Sequence, residues 1–442
     1  MKYEQVCRYL DNCLIFGIKP DLARIRKVLD LLGNPHKKYD FIHVVGTNGK
    51  TSTTIMAASI LYKHGKKCGY YISPHIDSYT ERMWISGKEV SEDRFTKLFG
   101  DIYPCAEEVN RMDLGGHLTQ FEILTAMAFK LGEEEKLDVM VLEAGMGGRW
   151  DATNVAESKV VGLTGISSEH TKILGSTIEK IALEKVEVIK NKALVATLSR
   201  DRKVLDVIEK KVRDSFSKLF VFGDDFCVLN INKGDVCGGN LDVRGTRAVY
   251  KNLKLPLLGE YQKFNLSLAL TMAELYLGIY GEKVNEKLLK ESMLSLKIKG
   301  RFEILKKNPL VIADASHNLE GIKNLVKNIS GYFGKRRKII IFAVLRDKDY
   351  RKMISYILGI SDILILTSSL NSRSLDIGKL QNEVLKIKNL RGEKKKSVPS
   401  SIYSVDNIEN SLNFALNFSK SNDIICITGS ITNLENLGSM IY

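Results

Sequence analysis

Gly46-Thr47-Asn48-Gly49-Lys50-Thr51-Ser52 follows an apolar run, Phe41-Ile42-His43-Val44-Val45, and precedes a helical pattern from Thr53 to His64. Strand, glycine-containing turn and helix in that order build an anion cradle. The turn and the helix start present several backbone N–H groups to one phosphate chain. Lys50 adds a positive charge for the outer phosphates, and Thr51 or Ser52 adds a hydroxyl for Mg2+. Gly46, Thr47, Asn48, Gly49, Lys50, Thr51 and Ser52 are therefore candidate nucleotide-binding residues, with ATP the expected ligand. The general pattern G-x-x-x-x-G-K-[ST] is met at Gly49, Lys50 and Thr51, whereas Val44 stands where its first Gly belongs.

Outward from this stretch the chain alternates. Residues 1–40 read as helical, with a break at Pro20 and a turn at Gly33-Asn34-Pro35. Strand-like runs recur at Cys68 to Ile72, Asp138 to Leu142 and Val160 to Ile166, and helical patterns at Thr119 to Leu131 and Thr177 to Lys190. That alternation predicts an α/β fold with a mostly parallel sheet of phosphate-loop type. Phe220 to Leu255 reads as an antiparallel insertion, followed by helix from Gln262 to Leu277. A boundary falls near Lys297 to Gly300, giving expected domains 1–297 and 298–442. In the second, Leu310 to Ala313, Lys338 to Val344, Asp362 to Leu366 and Asp423 to Thr428 are strand-like, which predicts a smaller Rossmann-like α/β domain.

Composition narrows the function classes. The 442 residues are 44% hydrophobic and 27% charged, as in an ordinary soluble globular protein. No apolar run approaches a membrane span, and Met1-Lys2-Tyr3-Glu4-Gln5 lacks the apolar core of a secretion signal. The net charge of +14 suits an anionic small molecule. The basic runs Lys335-Arg336-Arg337-Lys338 and Lys394-Lys395-Lys396 carry no interleaved aromatics, so they read as solvated faces and no nucleic-acid partner is expected. Seven cysteines without a C-x-x-C pair argue against a disulfide framework and for a cytoplasmic protein.

Several further segments carry a resemblance. Residues 16–50 read FGIKPDLARIRKVLDLLGNPHKKYDFIHVVGTNGK, and Tyr71-Ile72-Ser73-Pro74-His75, Glu81-Arg82 and Phe121-Glu122 with Thr125-Ala126 follow. Then come Glu143 to Asn154 (EAGMGGRWDATN), Arg301-Phe302-Glu303, Asp314 to Asn318 and Asp347-Lys348-Asp349. In this order they resemble folylpolyglutamate synthase/dihydrofolate synthase of the Mur ligase superfamily over nearly the whole chain. The resemblance implies an ATP-dependent amide ligase. ATP phosphorylates a pterin-bearing carboxylate, and the amine of L-glutamate attacks the acyl phosphate. It also implies a monomer.

Residue roles follow from the same resemblance. It makes Ser73, Glu143 and His170 Mg2+ ligands, and Lys50, Lys185 and His317 catalytic, with Lys185 carbamylated. Asn265, Arg301 and Asp314 become ATP contacts, the last two from the second domain. Arg82, Phe121, Glu122, Thr125, Trp150, Asp151, Ala152 and Ser430 become substrate contacts, Ser430 on the glutamate side. Departures from the family pattern are Thr51 for Gly, Trp150 for Leu, Tyr261 for His, Glu187 for Gly, and Leu319 for Pro after Asp-Ala-Ser-His-Asn. Thr51 resembles the muramyl peptide ligases. Those would need a further domain before the phosphate loop, which begins here by residue 46. Nucleotide binding without ligation is the remaining alternative.

Overall fold

Residues 41–45 are buried without alternation because β1 (Asp40–Val45) runs inside a sheet covered on both faces. The computed structural model describes residues 1–16, 20–167, 171–232, 239–294, 296–391 and 399–441. These fall into two compact units: Met1–Gly234, Gly239–Pro256 and Gln262–Leu296, and Leu257–Tyr261 with Lys297–Tyr442.

The first unit adds β2 (Cys68–Tyr71), β3 (Met83–Ile85), β4 (Lys88–Glu89), β5 (Val139–Glu143), β6 (Ser158–Leu163), β7 (Leu194–Thr197) and β8 (Lys218–Val221). The sheet order is β4-β3-β2-β5-β1-β6-β7-β8. Pairing is parallel from β2 through β8 and antiparallel only at β2-β3-β4. Its helices are α1 (Tyr3–Asn12), α2 (Ala23–Leu31), α3 (Lys50–Lys63), α4 (Glu92–Asn110), α5 (Gln120–Glu134), α6 (Thr171–Leu174), α7 (Ile178–Val186), α8 (Arg202–Asp214), α9 (Gln262–Ile279) and α10 (Glu286–Leu294).

Strand alternation assigns the faces. Val161 and Leu163 of β6 join Ile181, Ala182 and Ile208 in a core under α7 and α8. Gly162 points the other way, where an added Cβ would lie 2.1 Å from the Met272 sulfur of α9. The helices α3 and α9 are buried almost all round, so neither needs an amphipathic stripe. Phe41, Phe129, Tyr71, Phe95 and Phe99 fill a separate core under α1, α2, α4 and α5.

A three-stranded antiparallel sheet, β9 (Cys227–Asn232), β10 (Gly239–Arg244) and β11 (Val249–Leu255), follows β8. Buried Glu274 of α9 holds it: the carboxylate accepts Thr246 N at 2.7 Å and the Tyr250 hydroxyl at 2.8 Å.

The second unit is a six-stranded sheet of β12 (Glu303–Lys307), β13 (Leu310–Ala313), β14 (Lys338–Phe342), β15 (Ile363–Leu366), β16 (Ser401–Ser404) and β17 (Ile424–Thr428), in the order β12-β13-β17-β14-β15-β16. Only β12 is antiparallel. Its helices are α11 (Leu319–Phe333), α12 (Tyr350–Leu358), α13 (Ile377–Arg391), α14 (Ile408–Phe418) and α15 (Leu437–Ile441).

The strands differ from the sequence expectation in one respect. The short edge strands β3, β4, β12 and β16 lack the long apolar runs that mark a doubly covered strand. The first basic run is also not simply solvated. Arg337 Nε donates to Asp423 at 3.1 Å, and Lys338, 9% exposed, gives its ammonium to the carbonyls of Gly334 and Arg336. Lys394 to Lys396 lie outside the described residues. Among the described residues no helix is long and apolar enough to cross a membrane, and the described cysteines are free thiols.

His43, on β1, is fully buried, and burial pushes its pKa down to about 3. The unfolded chain therefore binds more protons than the folded one below the ordinary histidine range. Stability contributed by the neutral ring is complete above pH 6.5 and is lost as pH falls toward 3, with a slope of up to about 1.4 kcal/mol per pH unit. Urea midpoints measured between pH 7.5 and 5 should fall, and the fall should be shallower in a folded His43→Gln variant; equal slopes would contradict the assignment.

Candidate active site

At the carboxyl end of β1 the chain must turn sharply, and two glycines have no substitute. A Cβ on Gly46 would lie 1.7 Å from Thr164 Oγ1, and one on Gly49, whose φ is +89°, would lie 2.4 Å from Asn265 Oδ1. Thr47 fixes the loop to the segment after β6: its N–H donates to Gly165 O at 2.9 Å, and its hydroxyl to Ser167 O at 3.2 Å. Lys50 opens α3 and folds back, with Nζ 3.1 Å from Thr47 O and 3.4 Å from Gly46 O. Ser52 is buried on α3.

Parallel register sets Val44 opposite Glu143, so the last residue of β5 arrives beside this loop. Glu143 is 2% exposed; its carboxylate accepts the Thr51 hydroxyl at 3.0 Å and Ser73 N at 3.2 Å. Lys185, 5% exposed on α7, donates from Nζ to Gly46 O at 2.7 Å. Six sequence-predicted residues, Gly46, Lys50, Thr51, Ser73, Glu143 and Lys185, thus form one cluster. His170 lies outside the described residues. Among the described residues no group of three or more His, Cys, Asp or Glu side chains could hold a metal. The donors present are one carboxylate and hydroxyls, which suits Mg2+ completed by phosphate oxygens and water.

Asn265 lies at the start of α9 against Gly49, and its Nδ2 donates to Gln262 Oε1 at 2.9 Å. Glu187, the family departure nearest Lys185, is turned sideways. Its carboxylate accepts Arg149 Nη2 at 3.3 Å and Lys211 Nζ at 2.9 Å, while Arg149 Nε also donates to Glu184 at 3.0 Å.

A second group lies beside β2 and α5. Phe121 stacks on Tyr71 at 5.9 Å between ring centres, and Gly145 leaves room for its ring. Thr125, fully buried, bonds back to Phe121 O at 2.7 Å. Glu122 accepts Thr119 N at 2.8 Å in a capping box and pairs with buried Arg24 at 3.2 Å. Arg82 donates to His75 Nδ1 at 2.8 Å and lies over the Tyr79 ring. Burial, with Arg82 adding to it, pushes the His75 pKa down to about 3, so the ring accepts as a neutral base. Asp151 is buried, which raises its pKa; it accepts Met146 N at 2.8 Å and Thr153 N at 3.0 Å. Thr153 in turn bonds His43 Nε2 at 2.8 Å. Ala152 is buried beside Asp151, whereas Trp150 is 48% exposed.

In the second unit the predicted residues gather at the carboxyl ends of β13 and β17. Asp314 is 3% exposed and accepts Phe302 N and Ser316 N, each at 3.0 Å. Phe302 takes φ +54° next to Arg301, an unusual backbone state for a bulky residue, and its ring is buried against Phe333. His317 Nδ1 donates to Ala315 O at 3.0 Å, and Asn318 caps α11. Gly429 N reaches Ser316 O at 3.1 Å, and Ser430, 2% exposed, caps the short helical turn Ile431–Asn433.

Residues 44–273 match the Mur ligase middle domain, and residues 300–431 match the Mur ligase glutamate ligase domain. The chain belongs to the Mur ligase family. Within it, the chain is one of the folylpolyglutamate synthases and dihydrofolate synthases, and it is an ATP-dependent ligase. It is 32% identical over 353 residues to the dihydrofolate synthase/folylpolyglutamate synthase of Bacillus subtilis, covering 80% of this chain and 82% of that one. The Mycobacterium tuberculosis folylpolyglutamate synthase complexed with ADP and AMPPCP superposes with a TM-score of 0.88 at 29% identity, over 98% of this chain and 96% of that one. The Escherichia coli protein FolC in complex with DHPP and ADP gives 0.86 at 26% identity, over 100% and 98%.

For a Mur ligase, the side chains that hold this site were only partly foreseeable. Arg24, Tyr71, Thr153 and Gln262 were not singled out from the sequence. Arg24 left a trace: four residues before Val28, it shares a helix face with a core residue.

Gly49→Ala should leave the fold intact but weaken ATP binding at least about 10-fold, because both the positive φ and the Asn265 contact oppose a Cβ. Calorimetric titration with ATP checks this; unchanged affinity would detach the loop from nucleotide binding.

Proposed function

We infer that this chain joins L-glutamate to the carboxylate of a folate or of dihydropteroate, driven by ATP. The observation that carries the reading is the cluster at the ends of β1 and β5. A glycine-kinked loop, two lysines, a buried carboxylate and two hydroxyl residues meet there, in a chain of the Mur ligase family. Arrangements of this kind act by positioning and charge neutralisation around a transferring phosphoryl group.

In the proposed sequence, a substrate carboxylate oxygen attacks the γ-phosphorus and ADP departs. The amine of glutamate then attacks the acyl phosphate carbon, loses its proton, and expels phosphate. Gly46, Thr47, Asn48, Gly49, Thr51 and Ser52 cradle the phosphates, Lys50 neutralises the outer ones, and Asn265 lies on the nucleoside side. Phe121, with Tyr71 beneath it, and Trp150 offer faces to a pterin. Glu122, Thr125, Asp151, Ala152 and Arg82 are assigned to the same substrate; Glu122, Thr125 and Asp151 have their polar atoms engaged within the protein, so they act through the shape and dipoles of the wall. Arg301, Asp314 and His317 are assigned to ATP and Ser430 to glutamate, residues 1–297 serving ATP and pterin and 298–442 glutamate and ATP. The protein is proposed to act as a cytoplasmic monomer.

Glu143, Thr51 and Ser73, with His170, are the residues that would hold Mg2+, which when bound neutralises phosphate charge. A bare ammonium at Lys185 would repel that ion. A neutral amine there would add CO2 and lose a proton to become an anionic carbamate, an oxygen donor suited to Mg2+. Carbamylation of Lys185 is therefore part of the proposal, supported by its 5% exposure and its place against Gly46 O.

Purified protein given ATP, Mg2+, glutamate and either dihydropteroate or a reduced folate should release one ADP per amide and yield a product one glutamyl residue heavier. ATP hydrolysis without a glutamate-dependent product would favour the non-ligating alternative. Lys50→Ala should fold normally and lower kcat by about 10²–10³-fold, as expected for one charge-stabilising donor. Lys185→Ala should lose at least about 10²-fold, with partial recovery in acetate, which supplies the missing carboxylate. A well-ordered bare amine at Lys185 in crystals grown with bicarbonate, ATP and Mg2+ would overturn the carbamate.

A further inference from the structure

We propose that Arg24 is a positioning residue for the pterin-side wall: its guanidinium ties the loop before α5 to the first turn of α5, and so fixes the ring of Phe121. This rests on the reading of Phe121 given above. Arg24 lies on α2 and is 1% exposed. Nη1 donates to Leu114 O at 3.2 Å. Nε donates to Glu122 Oε2 at 3.3 Å, and Nη2 lies 3.2 Å from Glu122 Oε1. Glu122 Oε2 also accepts Thr119 N at 2.8 Å and the Thr119 hydroxyl at 2.9 Å. One carboxylate therefore gathers the end of the loop, the cap of α5 and a side chain from a helix about a hundred residues away in sequence.

The consequence reaches the aromatic wall by geometry. Phe121 precedes Glu122 and sits in the same first helical turn. Its ring is confined between Tyr71 and the backbone at Gly145, where a Cβ would come within 2.8 Å. A capping box needs only Thr119 and Glu122, so the guanidinium is superfluous for starting the helix. What it adds is direction. A planar fork reaches a carboxylate and a carbonyl at once, which the single point charge of a lysine does not reproduce. Removing it leaves the Glu122 charge buried and the loop carbonyl unanchored, so the first turn and the ring it carries are free to shift.

Arg24→Lys, Arg24→Met and Phe121→Ala test this, with KM for the pteroyl substrate and for ATP measured separately and thermal midpoints recorded. Both Arg24 variants should raise KM for the pteroyl substrate at least about 10-fold while KM for ATP moves less than about 2-fold. If Arg24→Met fails to fold, Arg24→Lys decides alone. Folded variants with an unchanged pteroyl KM, or with both KM values rising together, would overturn the positioning role. If Phe121→Ala leaves the pteroyl KM unchanged, the pterin reading itself has failed; if it raises that KM and the Arg24 variants do not, only the role of Arg24 has failed.

Discussion

The backbone carbonyl of Gly46 receives the Lys185 amine at 2.7 Å and the Lys50 amine at 3.4 Å. That position exists only because residue 46 has no side chain, since Thr164 occupies the space a Cβ would take. The strand β1 hands the chain to the loop there, β6 supplies Thr164 and α7 supplies Lys185, so three elements distant in sequence meet on one peptide group. The parallel register of β1 with β5 adds Glu143 to the same place. Two ammonium groups and a buried carboxylate are thereby gathered at one strand end. Strand ends in open parallel sheets are where ligands collect, because helix N-termini and loops converge there.

Buried charge in the first unit is handled in two ways that differ in magnitude. Arg24 with Glu122, Glu274 with Thr246 and Tyr250, and Asp151 with Met146 and Thr153 are enclosed and paired. Stripping the partner from such an enclosed charge costs on the order of 3–5 kcal/mol. The Arg149, Glu184, Glu187 and Lys211 network is part-exposed, and each of its pairs contributes about 0–1 kcal/mol. The enclosed groups hold the start of α5, the Asp151 turn and the three-stranded sheet, while the exposed network links α7 to Arg149 and α8. Glu187 belongs to that network, which is how a charged residue is accommodated two positions from Lys185.

The second unit repeats the solution with different parts. Asp314 is buried and would be costly as a carboxylate, yet two backbone N–H groups meet it, one from Phe302 in a left-handed conformation. Gly429, at φ +107°, lies so close to the end of β14 that a Cβ would come within 2.2 Å of Ala343 O; its N–H donates to Ser316 O, and Ser430 caps a helical turn. The Asp314 carboxylate and the Ser430 hydroxyl are thus held by backbone N–H groups, which gives fixed direction at small entropic cost.

The sequence by itself determined the class of fold and the phosphate loop. Apolar runs such as Phe41 to Val45 and Leu310 to Ala313, alternating with helical patterns, read as strands covered on both faces, and the glycine, lysine and threonine after the first are local chemistry. It also carried the family, through motifs in order, now matched by the Mur ligase domains. Edge strands and the partners of buried polar groups were not legible, because their hydrophobic pattern is short or absent. Only the tertiary structure decided that Glu187 faces Arg149 and Lys211, that Glu122 and Thr125 are engaged inside the protein, and that Arg24 is enclosed. The reason is physical. A local pattern records which face of an element is apolar, whereas the partner of a buried charge is chosen by which distant backbone arrives beside it once the sheet has closed its register.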